Sequence, residues 1–305
     1  MDDIEKLAQL GWHFPNTNWN DPVFEWDKAY VCAIFCSLAY AAVPEENEIE
    51  TPRYQIIPSH LYQELFIRRA VPTEEEIKKL LSAYEPIVIS TDHIVSLILR
   101  LKGMLFVAVR GTEMSSFYDW QANISAKKTA LPDHEDIKLH SGFYGETLVH
   151  AEKVAQTLVK ISNENIPIYI TGHSLGGAVA AVMNILFNEW TAKYPLYRPS
   201  PPYTFGMPRY GDTGAVRKLA SPYAVFHPDD VVPKVPPEIL GYADCDAKFS
   251  VASPEHATRN KSKIKAAMAV LMSSLTAKPV REHFIESYRQ HIARKLQFDE
   301  SKFLN

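Results

Sequence analysis

The sequence predicts an α/β fold with a largely parallel central sheet, and three features predict it. Beyond Gly142 helical and apolar extended patterns alternate, which implies strands running the same way with helices on the sheet faces. Upstream, a Lys102-Gly103 turn joins two β-rich runs as a hairpin. No fixed-period repeat, low-complexity tract or Gly/Ser linker divides the 305 residues. The chain therefore reads as one domain, 1–305, with residues 1–84 as an N-terminal helical extension packed on the core.

Taken in order, residues 1–24 carry Trp12, Trp19, Pro15 and several Asn without a clear period. That suits an arm laid over the core, because its aromatics need a surface to cover. Residues 27–43 read as a helix packed on nearly all sides, ending near Pro44 and the acidic loop Glu45-Glu46-Asn47-Glu48. Helical patterns follow around 61–69 and 73–84. The β-rich part runs through 87–90, 94–101 and, past the turn, 104–109. A helix over about 146–161 precedes an apolar strand at 166–171 and a helix opening near Ser174. Short strands near 203–205 and 223–226 and helical patterns at 261–276 and 281–296 complete the chain.

Composition removes several functions. The net charge is −4, from 32 Lys+Arg against 36 Asp+Glu, and no long basic run occurs, so nucleic acid is not an expected partner. Three cysteines cannot all pair within one chain; Cys32 and Cys36 share an apolar helical run and Cys245 lies far away, which points to a reducing compartment. The start Met-Asp-Asp-Ile-Glu-Lys is acidic where a secretory signal is positive, and the uncharged stretch 29–43 is too short to span a bilayer. A cytoplasmic location is expected, with peripheral contact at a membrane or lipid-droplet surface. Cys, His and acidic residues do not cluster at zinc spacings, and no Gly-rich phosphate loop opens a helix, so neither metal nor cofactor is expected.

The chemistry concentrates in Gly172-His173-Ser174-Leu175-Gly176-Gly177, between the apolar strand and an Ala-rich helical segment. In a G-x-S-x-G elbow the serine occupies a strained strand-to-helix turn, and Gly172 and Gly176 allow the close backbone passage that holds its Oγ out at the strand end. The following helix directs amide dipoles at the same place, so the N–H of Leu175 is positioned for an oxyanion formed when Ser174 attacks a carbonyl. A serine hydroxyl needs an imidazole as general base and a carboxylate to orient that imidazole. Acid and base candidates follow downstream in the order Ser, Asp, His.

With these residues, Val109-Arg110-Gly111-Thr112-Glu113, His140-Ser141-Gly142-Phe143, Phe205-Gly206-Met207-Pro208-Arg209 and Asp230-Val231-Val232-Pro233 occur in order. Over about residues 85–290 the chain resembles the class 3 lipases, fungal lipase-like α/β-hydrolases. The resemblance implies an α/β-hydrolase fold, a mostly parallel central sheet flanked by helices. It also implies a cofactor-independent serine ester hydrolase acting on lipid esters such as acylglycerols through an acyl-enzyme.

On the same resemblance the carboxylate is Asp230, with adjacent Asp229 as its rival. After Asp230 only His256, His283 and His291 remain, and Glu282-His283-Phe284-Ile285-Glu286-Ser287-Tyr288 is similar to the family's final His followed by a Tyr. This favours His283, with His256 as the alternative; His173 reads as a packed motif residue and His227 as a loop residue. Thr112 is the implied second oxyanion donor, and His140 to Phe143 the turn before a helix. The family's lid helix falls on 114–121, where Phe117 and Trp120 share one helical face. Fixed packing is the other reading of these two aromatics. The apolar run after Lys261, Lys263 and Lys265 reads as a core helix or as a surface for anionic membrane. Acyl transfer to an alcohol and phospholipase activity use the same triad, and a non-catalytic lipid-binding or signalling module keeps the fold without turnover.

Overall fold

A computed structural model describes residues 17–40, 85–101, 103–111, 127–162, 166–194, 200–218, 221–252 and 282–299. The expectations for Thr112, Phe117, Trp120 and His256, and the helical patterns at 61–69, 73–84 and 261–276, lie outside these residues. So does the expected extension apart from 17–40.

The strands are β1 (Ile87–Ser90), β2 (Val95–Leu101), β3 (Met104–Val109), β4 (Lys128–Leu131), β5 (His134–His140), β6 (Ile168–His173), β7 (Tyr203–Phe205), β8 (Tyr223–Phe226) and β9 (Lys248–Ser250). Seven of them form one sheet in the order β1-β2-β3-β6-β7-β8-β9. β1, β2 and β3 pair antiparallel, while β3, β6, β7, β8 and β9 pair parallel, so β2 alone opposes the others. The expected hairpin closes at Leu101↔Met104, with Gly103 in the turn at φ 79°.

The pleat divides the core between two helical layers. Leu97, Leu99, Phe106, Ala108 and Tyr169 point to one face, under α1 (Trp26–Tyr40) and α5 (Ile285–Lys295). Ile98, Val107, Val109, Ile168 and Ile170 point to the other, under α2 (Ser141–Ile161) and α3 (Leu175–Glu189). Alternating residues serve different layers, so strands covered on both sides read as continuous apolar runs.

α1 is apolar on every side because β3, β6 and α5 surround it, and residues 28–39 are all buried. Its one buried charge, Lys28, is paired as burial demands. The ammonium donates to the carbonyls of Asp21 at 2.5 Å and Val23 at 3.1 Å, with Glu25 at 3.4 Å. These bonds hold the preceding segment on the sheet, where Trp19 meets Phe106 and Tyr169 edge-on and Phe24 stacks on Phe249.

Several elements depart from the sequence expectation. β4 and β5 form a separate two-stranded ladder that the sequence pattern does not announce, with Asp133 at φ 63° in the turn. α2 begins at Ser141, not near 146, so His140 to Phe143 is the start of the helix and not a turn before it. Gly142 and Gly145 weaken local propensity there, but the His140 ring caps the helix, its Nδ1 accepting the Phe143 amide at 3.4 Å. β6 extends through His173, two residues past the expected end, because β7 pairs with it there. β9 and α4 (Thr213–Lys218) are too short to carry a periodic signal. α5 starts at Ile285 and not at 281.

Buried neutral histidines tie stability to pH. His150 lies between Ser96 at 2.7 Å and Thr91 at 3.0 Å, and burial, then the Lys153 charge, lowers its pKa to about 4. Burial lowers His140 to about 4 as well. Unfolded, each returns to about 6.5, so between pH 6.5 and 4 the unfolded chain binds more protons. Their stabilisation is complete above pH 6.5 and is lost as pH falls toward 4, His150 alone accounting for about 3 kcal/mol. Denaturant titrations across this range should show that loss, with a shallower slope in His150→Gln; an unchanged slope would rule out His150 as a source.

Candidate active site

The carboxyl ends of β6, β7 and β8 lie side by side, which is where open parallel sheets place their sites. At the end of β6 the chain turns through Ser174, at φ 56° and ψ −130°, into α3. A non-glycine residue with such a φ costs of order 1–3 kcal/mol unless its surroundings hold it there. Here the Ser174 amide donates to the Phe205 carbonyl at 2.9 Å and the Ser174 carbonyl accepts the Gly177 amide at 2.9 Å. Strand and helix meet without side chains between them: a Cβ on Gly172 would stand 2.2 Å from the Gly176 carbonyl oxygen.

Two segments converge on the serine. His283 Nε2 is 2.8 Å from Ser174 Oγ, and His283 Nδ1 is 2.8 Å from Asp230 Oδ2. All three side chains are buried. Asp230 is fully enclosed and accepts two further bonds, from the Tyr288 hydroxyl at 2.6 Å on Oδ2 and from the Val232 amide at 2.9 Å on Oδ1. Asp229, the rival carboxylate, is exposed. With the carboxylate accepting at Nδ1, the His283 proton resides there and Nε2 is left to take the serine proton. Tyr288 also accepts the His227 amide at 3.1 Å, and burial together with the Asp230 charge pushes its phenol well above the usual range.

His173 does more than pack. Its Nε2 faces the His283 carbonyl oxygen at 2.5 Å, and a carbonyl only accepts, so Nε2 carries a proton. Its Nδ1 lies 2.7 Å from the Tyr40 hydroxyl. Burial, then the charge of His283, drives its pKa well below 6.5. The ring is therefore neutral, its Nδ1 accepts from Tyr40, and it links the end of α1 to the backbone of His283. Sequence reasoning missed Tyr40, which is 133 residues from His173 and bears no local mark.

The arrangement suits attack on a carbonyl. Leu175 opens α3 directly after the serine, and the first amides of a helix face outward without intrahelical acceptors. Arg110 and Gly111, the described part of the second expected oxyanion segment, run against the elbow. A Cβ on Gly111 would stand 2.3 Å from the Tyr40 hydroxyl and 2.8 Å from the His173 carbonyl oxygen. Among the described residues one trio, His227, Glu282 and His291, offers potential metal ligands, beside the triad but not in it.

Residues 106–240 match the family Lipase (class 3). The chain is 30% identical over 151 residues to secreted mono- and diacylglycerol lipase 1 of Fusarium solani, covering 48% of this chain and 43% of that protein. It is 30% identical over 164 residues to a lipase of Rhizomucor miehei, covering 50% and 43%. The chain thus spans less than half the length of these curated relatives. The solved mono- and diacylglycerol lipase of Aspergillus oryzae superposes with a TM-score of 0.54 at 17% identity, over 76% of this chain and 81% of that one. The fold is the α/β-hydrolase fold.

If Tyr40 braces His173, Tyr40→Phe leaves Nδ1 buried without a donor and should lower the unfolding free energy by about 1–3 kcal/mol in denaturant titrations. Wild-type stability in that variant would show that the contact bears no load.

Proposed function

We propose, from the match of residues 106–240 to the class 3 lipase family, that this protein hydrolyses carboxylic esters of lipids, such as acylglycerols, through an acyl-enzyme on Ser174. The observation that carries the reading is the unbroken chain Ser174 Oγ, His283 Nε2, His283 Nδ1, Asp230 Oδ2, with 2.8 Å at each hydrogen bond. In the proposed reaction Ser174 Oγ bonds to the ester carbonyl carbon as His283 Nε2 takes its proton. Asp230 stabilises the imidazolium without itself becoming protonated. The carbonyl oxygen becomes an oxyanion that the Leu175 amide receives, with Thr112 as the proposed second donor. Collapse breaks the bond to the alcohol, which leaves with the His283 proton. Water repeats the sequence, releases the acid and restores the serine.

An oriented, desolvated imidazole is what makes the hydroxyl reactive at neutral pH. Tyr288 and Val232 contribute by fixing the carboxylate, and His173 by fixing the His283 backbone. The three cysteines are buried free thiols, which supports the proposed cytoplasmic location; relatives of this chain are named as secreted. Among the described residues no helix is long and apolar enough to cross a membrane. Access to lipid is proposed to come from transient contact with a membrane or lipid-droplet surface.

Purified protein should hydrolyse a fatty ester series from short chains to emulsified acylglycerol. Ser174→Ala and His283→Ala, each folded by circular dichroism, should lose about 10⁴-fold or more in kcat. Full activity in His283→Ala would overturn the base assignment. Lipid binding without turnover in the wild type would leave a non-catalytic lipid-binding module as the account.

A further inference from the structure

Beside the triad, three side chains that the proposed hydrolysis does not use come together from separate segments. His227 follows β8 directly, Glu282 precedes His283, and His291 lies on α5. One potential ligand atom from each falls within 4.8 Å of the others. We propose that His227, Glu282 and His291 bind a divalent transition-metal ion, Zn²⁺ being the reference case, which clamps the Asp230 loop to the His283 segment.

The donor set selects the metal. Two imidazoles and a carboxylate suit Zn²⁺, Co²⁺, Ni²⁺ or Cu²⁺, whereas Mg²⁺ and Ca²⁺ prefer oxygen ligands throughout. Three protein ligands leave a fourth tetrahedral position for water. With metal–ligand bonds near 2.0–2.1 Å, tetrahedral donors stand about 3.4 Å apart. His227 Nε2 and Glu282 Oε2 are 3.7 Å apart, too far for a direct hydrogen bond and close to the spacing of two donors on one ion. Asp229, Asp230 and Glu282 make the surroundings favourable to a cation.

The outer contacts also have the form that metal ligands need. His291 Nδ1–H donates to the Ser287 carbonyl at 2.7 Å, so its other nitrogen carries the lone pair, and the Ser287 hydroxyl donates to Glu282 Oε2 at 2.8 Å. Ligating imidazoles and carboxylates are oriented by contacts of this kind. His227 differs: its Nδ1 accepts the Asp229 amide at 3.2 Å, so the neutral ring holds its proton on Nε2. Metal binding at Nε2 moves that proton to Nδ1, the imidazole stays neutral, and the Asp229 contact is given up. The ion therefore acts on the Asp229 amide, one residue from Asp230, from one side and on the Glu282 side chain, next to His283, from the other. Its occupancy slows turnover by shifting both groups. That coupling rests on the proposed hydrolase activity; the binding does not.

Calorimetric titration of the metal-stripped full chain with ZnCl₂, with Co²⁺ absorption as a second readout, tests the site. The expected result is one ion per chain and a raised Tm, with affinity at least ten-fold weaker in His291→Ala and in Glu282→Gln, and no response to Mg²⁺. Absence of stoichiometric Zn²⁺ binding in the wild type, or unchanged affinity in both variants, would overturn the site. In a parallel ester assay Zn²⁺ should slow the wild type and spare His291→Ala; equal rates with and without Zn²⁺ would overturn the coupling alone. A wild type that hydrolyses no ester removes the hydrolase reading and leaves the titration to decide the metal site.

Discussion

The site depends on one backbone constraint, the positive φ of Ser174 between β6 and α3. An L-residue adopts that conformation only where its surroundings hold it. β3 and β7 pair with the two edges of β6, and the Phe205 carbonyl at the end of β7 holds the serine amide. The Gly172–Gly176 contact lets α3 begin directly above the strand. Sheet order, elbow and helix start are thus one arrangement. It leaves the hydroxyl facing His283 while the first amides of α3 point to the same region.

Around that turn the polar groups form a buried network whose members fix one another. Asp230 accepts from His283, Tyr288 and Val232, so an enclosed carboxylate is stabilised by hydrogen bonds as well as by its imidazole partner. His173 remains neutral because burial and the neighbouring His283 disfavour its charge, and neutrality lets it donate on one side and accept on the other. A protonated His173 would have two donors and no acceptor for Tyr40. Desolvation at this position keeps the ring neutral, and the His283 carbonyl, which can only accept, fixes its proton on Nε2.

The segment before the sheet belongs to this architecture. α1 shares its face with α5, the helix that follows His283, and its last residue reaches the elbow. Lys28 holds the preceding backbone, and Trp19 and Phe24 cover aromatics of the sheet and its edge. Packing in this layer and order at the site are therefore connected through Tyr40 and His173, at a distance the chain does not reveal.

Local chemistry made much of this legible. The strand–Gly-x-Ser-x-Gly–helix pattern, the hairpin at Gly103 and the apolar faces of β3 and β6 are short-range features, and short-range sterics and hydrophobic periodicity write them directly into the sequence. The resemblance of ordered segments supplied Asp230 and His283, which local pattern alone left among several candidates. The sequence could not decide contacts between segments far apart in the chain. The β4–β5 ladder, the start of α2 through two glycines, the brace from Tyr40 and the gathering of His227, Glu282 and His291 carry no periodic signal. Each depends on which distant segments meet once the sheet has assembled. The sequence by itself determined the layers and the serine at the strand-to-helix elbow; only the tertiary structure decided which distant donors and acceptors surround it, because hydrogen-bond satisfaction in a buried site is a property of the assembled core.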